Sequence, residues 1–186
     1  MAERTRQNPQ KKFRIEKIKS EHQTPGPHSC ILVLDGLKPH FNVAKIFRSA
    51  QALGCQEVFL INIPFFDPYP AKGAFKQTKS RSFETFAEAY EVLRAVGFEI
   101  FVMDPRAEER LGMIALPKKT AFVVGHEEFG LSIDPKEFPE LRSLKIDQFG
   151  LVQSMNVSIA ASLAAFEYNR QHVLPSTHVE SLEASL

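Results

Sequence analysis

The chain has 186 residues, 44% of them hydrophobic and 24% charged, and a net charge of +1. That is enough apolar content for one globular domain with a sizeable core, and the near-neutral total gives no warrant for nucleic-acid binding by itself, because a polyanion needs local positive charge. No apolar run is long enough to span a bilayer, and the opening residues are polar and basic rather than signal-like, so a cytoplasmic protein with no membrane partner is expected.

Residues 1–28 read as a basic arm. Arg4, Arg6, Lys11, Lys12, Arg14, Lys17 and Lys19 stand there against Glu3, Glu16 and Glu21. The arm is either a solvated segment or a phosphate-contacting one. A breaker cluster at 24–27 ends it, and residues 30–34 form a short apolar run read as a buried strand. From 42 to 53 the apolar positions Val43, Ile46, Phe47, Ala50 and Leu53 recur at helical spacing, with Gly54 where a helix terminates. A second strand is expected over 57–63.

Residues 64–82 read as a long loop in which Lys72, Lys76, Lys79 and Arg81 mix with Phe65, Phe66, Tyr69 and Phe75. Two readings stand: aromatics and cations offered to RNA, or aromatics tucked into the core. Helical periodicity resumes over 83–96, followed by a strand at 98–103, another at 121–124, a shorter one at 144–146 and a helix over 157–168. Residues 172–186 form a polar tail. The alternation predicts an α/β domain over 29–171, a parallel sheet flanked by helices on both faces. Cys30 and Cys55, each in or beside an apolar run, read as buried free thiols, and no metal site is expected.

Ligands on open α/β sheets bind beyond the carboxyl ends of strands, so the segments after the strands carry the chemistry. The first, residues 34–48, contains Asn42, placed to cap a helix, and Arg48 six positions on. In the second, residues 123–132, Gly125 and Gly130 surround Glu127 and Glu128 directly after a strand. Glycine there permits tight turns and close approach of a ligand. It is not the dinucleotide fingerprint, so a dehydrogenase has little support. The third, residues 146–161, sets Gln153, Ser154 and Asn156 before a helix rich in Ala160, Ala161, Ala164 and Ala165.

In order and spacing the three segments resemble the motifs of the SpoU-type methyltransferases of the SPOUT superfamily. Asn42 and Arg48 match the first motif, Gly125, Glu127, Gly130 and Leu131 the second, and Ser154, Met155, Asn156, Val157 and Ser158 the third. One departure is Ile146-Asp147-Gln148, where the family often has Ile-Pro-Met. The resemblance spans roughly residues 30–168. It implies a C-terminal trefoil knot, S-adenosylmethionine as cofactor, a homodimer, and RNA (tRNA or rRNA) as substrate methylated on a ribose 2′-hydroxyl.

By matching positions, Met103, Gly125, Ile146, Ser154 and Met155 line the cofactor site. Arg48, Asn42, Glu127, Ser154 and Asn156 form the catalytic group, with Arg48 binding phosphate across the cleft and stabilising a forming alkoxide. The small face of the last helix, Ala160, Ala161, Ala164 and Ala165, would let a partner helix or an intrachain neighbour pack closely. Two rivals remain at this stage: a non-catalytic RNA-binding protein that keeps the fold, and a base methyltransferase.

Overall fold

The structure is a computed structural model that describes residues 8–173. Arg4 and Arg6 of the basic arm and all but the start of the polar tail lie outside the described residues. Seven strands, β1 (His28–Asp35), β2 (Cys55–Ile61), β3 (Ser80–Phe83), β4 (Glu99–Met103), β5 (Glu109–Arg110), β6 (Thr120–Gly125) and β7 (Leu141–Lys145), form one sheet in the order β3-β2-β1-β6-β4-β7-β5. Every pairing in it is parallel. Four α-helices accompany it: α1 (Pro9–Glu21), α2 (Phe41–Ala52), α3 (Phe86–Ala95) and α4 (Val157–His172).

The contiguous apolar runs follow from this architecture, because a central parallel strand is buried on both faces. On β1, Cys30, Leu32 and Leu34 point to one side and Ile31 and Val33 to the other. The first side packs against α1, α2 and α4 through Phe13, Ile46, Phe47, Ala161, Ala164 and Tyr168. The second packs against α3 through Phe86, Ala89, Tyr90 and Leu93. Thr85 caps α3 reciprocally with Glu88, which starts that helix three residues later than its periodicity predicts.

Residues 9–21 are neither a free arm nor a solvated segment. Asn8 caps α1, Pro9 opens it, and its buried face carries Phe13, Glu16 and Ser20. Phe13 meets Phe65, Phe66 and Phe75 at centroid distances of 5.2, 5.1 and 5.6 Å. Ser20 Oγ donates to the Thr78 carbonyl at 2.6 Å. The aromatics of 64–82 are therefore unavailable for base stacking as a set: Phe66 and Phe75 are fully buried, and both pack on Phe47 of α2. Of the loop's cations, Arg81 pairs with Glu57 at 2.7 Å and Lys79 bonds the Glu21 carbonyl, which leaves Lys72 and Lys76 exposed. The last residues of that stretch are strand β3 rather than loop.

The alanine face of α4 is an intrachain surface. Ala161, Ala164 and Ala165 are fully buried in the core that α4 shares with α2, β1 and β6. The face that α4 leaves open carries Ile159, Leu163 and Phe166, exposed by 50%, 37% and 49%. Cys30 and Cys55 are free and buried side by side, and the Cys55 contact followed by burial holds the Cys30 thiol well above its ordinary range. No helix among the described residues is long and apolar enough to cross a membrane.

Candidate active site

The sheet's central strands end together, and the segments that follow β4, β6 and β7 enclose a cavity of about 490 Å³ with the start of α4. This is the carboxyl edge of a parallel sheet, where ligands of open α/β folds bind.

Gly125 ends β6, and the next five residues close on themselves. His126 N–H donates to the Gly130 carbonyl at 2.7 Å, and Gly130 N–H donates back at 2.9 Å. A methyl group on Gly125 would lie 2.5 Å from the Gly130 carbonyl carbon, and Gly130 has φ of +76°. Both glycines are therefore required by the turn itself: one for close backbone approach, the other for a left-handed conformation. A carboxylate missed by the sequence reading anchors the end of this turn. Asp35, fully buried at the end of β1, accepts from Ser132 N–H and from Ser132 Oγ, each at 2.7 Å. An acid at the end of an apolar strand was the available signal, since a buried carboxylate needs donors.

Glu127 projects from the same turn toward α2. Its Oε1 accepts from Asn42 Nδ2 at 2.8 Å and its Oε2 from the Lys38 backbone N–H at 3.0 Å. Partial burial pushes its pKa up, but the bonds from Asn42 and Lys38 outweigh that and hold the carboxyl below the ordinary carboxylate value. Glu128 beside it pairs with the Lys38 ammonium.

Asn42 does not cap α2, contrary to its sequence placement. The helix starts at Phe41 with His40 at the cap position, two residues before the expected cap, so the Asn42 side chain is free to bridge. Its Oδ1 accepts from Asn156 Nδ2 at 3.3 Å. Asn156 in turn caps α4, accepting from Ser158 N–H at 2.9 Å and Ser158 Oγ at 2.6 Å. Three segments far apart in sequence are thus joined by side-chain hydrogen bonds at one edge of the sheet.

Met103, Gly125, Ile146, Ser154 and Met155 all line the cavity, as does Glu127. Arg48 does not. Six residues beyond Asn42 rotate a helix by about 600° and advance it by about 9 Å, so the two side chains leave α2 on different faces. Arg48 is exposed and makes no hydrogen bond or ion pair with any described residue. Its neighbour Ser49 accepts from Ser162 of α4 at 2.7 Å, so α2 and α4 are joined one residue beyond Arg48. Arg48 is therefore not part of the wall of its own chain's cavity.

In the departing segment Ile146-Asp147-Gln148, Asp147 pairs with Arg110 of β5 at 3.5 Å, a partly exposed contact between this segment and the edge of the sheet. Ile146 and Gln148 both line the cavity. At its mouth Asp104 follows β4 and accepts from the Arg106 side chain at 3.1 Å.

The cavity suits S-adenosylmethionine in size and chemistry. Its volume lies within the range of small-molecule sites. Apolar walls from Val102, Leu144, Ile146 and Val157 suit a flat aromatic ring, and Ser154, Gln148 and the Glu127 carboxylate supply a few polar groups, one of them negative as a sulfonium requires. Among the described residues, no group of three or more His, Cys, Asp or Glu side chains is placed to hold a metal ion.

Comparison with known proteins agrees with this geometry. A model of the SpoU rRNA Methylase family matches residues 29–166. A tRNA (guanosine(18)-2′-O)-methyltransferase of Thermus thermophilus is 30% identical over 165 residues, covering 86% of this chain and 82% of that protein. A 23S rRNA (guanosine-2′-O-)-methyltransferase RlmB of Neisseria meningitidis is 29% identical over 154 residues, and the match covers 80% of this chain but 61% of the relative. In structure, a TrmH/SpoU tRNA modifying enzyme of A. aeolicus superposes with a TM-score of 0.70 at 21% identity, covering 95% of this chain and 93% of that one, which establishes a common fold. The chain belongs to the SpoU rRNA methylase family.

Proposed function

We propose that this protein is an S-adenosylmethionine-dependent RNA methyltransferase acting on a ribose 2′-hydroxyl of tRNA or rRNA. The observation that carries the reading is the joining of three distant segments, two of which line the cavity, through Glu127 to Asn42 and Asn42 to Asn156.

When bound, S-adenosylmethionine supplies an activated methyl group. The chain's own task is to bring a weak nucleophile into line and favour its deprotonation. Glu127 fixes Asn42, and Asn42 fixes Asn156 and the start of α4, so the wall of the cavity is held in one arrangement. Ser154 is exposed at the cavity and can bond the substrate ribose or the cofactor. A guanidinium stays protonated and cannot act as a base. Arg48 therefore binds the phosphate beside the target and stabilises negative charge on the ribose oxygen, while the proton leaves to water or a phosphate oxygen.

The position of Arg48 leads to the assembly. The exposed stripe Ile159, Leu163 and Phe166 repeats at helical spacing on α4, and Phe149, Leu151 and Val152 before the helix are strongly exposed as well. A homodimer built on that stripe covers it and carries each Arg48 to the cavity of the partner subunit. The return of the chain from β7, past β4 and β6 to α4, is read as the crossing of a trefoil knot; a crystal structure whose backbone trace unties when pulled from its ends would contradict this.

For the RNA itself, Lys11, Arg14 and Lys19 on the outer face of α1 and Lys72 and Lys76 on the adjoining loop offer exposed positive charge on one side of the molecule. Mapping of ribose methylation in total RNA from cells with and without the protein tests the reading. Loss of methylation at a defined nucleotide is expected, and identical maps would overturn it.

A further inference from the structure

Phe129 is 82% exposed and yet lines the cavity, so its ring stands at the rim rather than in the wall. A single exposed apolar residue needs no explanation. What distinguishes this one is how it is held. It sits on the turn from Gly125 to Gly130, which the paired backbone hydrogen bonds between His126 and Gly130 close. His126 Nδ1 accepts from the backbone N–H groups of Glu128 and Phe129 at 3.0 and 3.2 Å, and the imidazole stacks on the Phe129 ring at 4.6 Å between centroids and 26° from parallel. Glu127 ties the same turn to Asn42 and to the Lys38 backbone. The ring is backed on one face, open on the other and fixed before a ligand arrives, so stacking on it costs little ordering entropy.

The surroundings select the occupant of the open face. The turn carries the Glu127 and Glu128 carboxylates against the Lys38 ammonium, a net negative charge that disfavours a phosphate beside the ring and leaves a flat, uncharged group as the suitable partner. Position supplies the second constraint. To receive a methyl group in the cavity, a ribose must bring its 2′-hydroxyl inside, and the base, carried on the adjacent ribose carbon, then comes to the rim where Phe129 stands.

We propose that Phe129 is the stacking platform for the base of the nucleotide whose ribose is methylated. The proposal rests on the reading of the cavity as a methyl-transfer site for RNA. A base taken out of its own stack loses contacts on both faces, and an aromatic side chain restores one of them. Every base presents a π-face, so such a platform supplies affinity and position without choosing the sequence.

The test compares Phe129→Ala, Phe129→Leu and Phe129→Tyr with the parent, in methyl transfer to tRNA and rRNA lacking the modification and in calorimetric titration with S-adenosylhomocysteine. Because the ring is exposed, all three are expected to keep the parent's thermal transition. Phe129→Ala and Phe129→Leu should raise the KM for RNA by about tenfold, the usual consequence of losing one base stack, with S-adenosylhomocysteine affinity within about threefold of the parent. Phe129→Tyr, which keeps the ring, should recover most of the difference. A KM unchanged in Phe129→Ala, or held at the parent value in Phe129→Leu, overturns the stacking role and leaves the cavity assignment intact. Loss of S-adenosylhomocysteine affinity in Phe129→Ala also overturns it, because the ring would then belong to the cofactor's site. A parent that binds S-adenosylhomocysteine but methylates neither RNA overturns the functional reading and the proposal with it.

Discussion

Arg48 and Glu127 show how differently two site residues are held. Glu127 is fixed by two donors, whereas Arg48 has none among the described residues. Replacing Arg48 therefore costs the fold almost nothing and the chemistry a great deal. Arg48→Ala is expected to lower kcat/KM by about 100-fold or more, the usual consequence of removing a group that stabilises developing charge, with S-adenosylhomocysteine affinity nearly unchanged by calorimetry. Normal turnover would refute the role.

Glu127 makes a prediction in pH. Its carboxyl lies below the ordinary value of 4.5 in the folded chain, so its contribution to stability is complete above that value and is lost as pH falls through the depressed one. Glu127→Gln should melt at a lower temperature than the parent at pH 7, and the gap should close toward pH 3. A gap that persists unchanged at pH 3 would show that the ionised carboxylate is not what Asn42 and Lys38 stabilise.

Among elements, the helix α1 and the 64–79 segment depend on each other through the cluster of Phe13, Phe47, Phe65, Phe66 and Phe75. Phe75→Ala should destabilise the protein by about 3–5 kcal/mol, as for other large core truncations, and should loosen α1 first, which hydrogen exchange at Phe13 through Ser20 would register. Exchange unchanged in α1 would mean that the helix is held by its polar contacts at Ser20 instead. This region is also where the sequence was least legible. The helical content of 9–21 is masked by its charge, because its buried stripe is only Phe13, Glu16 and Ser20, two of the three polar. The phenylalanines of the loop carry no periodicity, so nothing local distinguishes a core aromatic from a stacking platform. The β/α alternation from residue 28 onward was legible because each central strand is buried on both faces, and the carboxyl-edge rule pointed to three segments of which the second and third line the cavity. What no single segment reveals is contact between them. Asn42 fits a cap on sequence grounds, and only the start of α2 two residues earlier than such a cap allows frees it to bridge Glu127 and Asn156.

For the whole molecule, the open stripe on α4 and the exposed Arg48 are both accounted for by the proposed dimer, in which each subunit would complete the other's site. Mixing two inactive proteins tests this. Arg48→Ala has an intact cavity, and Ser154→Trp fills the cavity while keeping Arg48. Their mixed dimer contains one complete site if Arg48 acts across the interface, so activity should return on mixing to a substantial fraction of the parent. Dimers that form without any recovery would return Arg48 to its own subunit.

Methyl transfer to a ribose oxygen is the activity proposed for this chain. Its most direct test is incubation of the purified protein with methyl-labelled S-adenosylmethionine and tRNA or rRNA lacking the modification, followed by alkaline hydrolysis. A methylated 2′-oxygen cannot attack its phosphodiester, so the label should appear in an alkali-resistant dinucleotide. Label recovered in mononucleotides would contradict the account in favour of base methylation, and RNA left unlabelled would contradict it altogether.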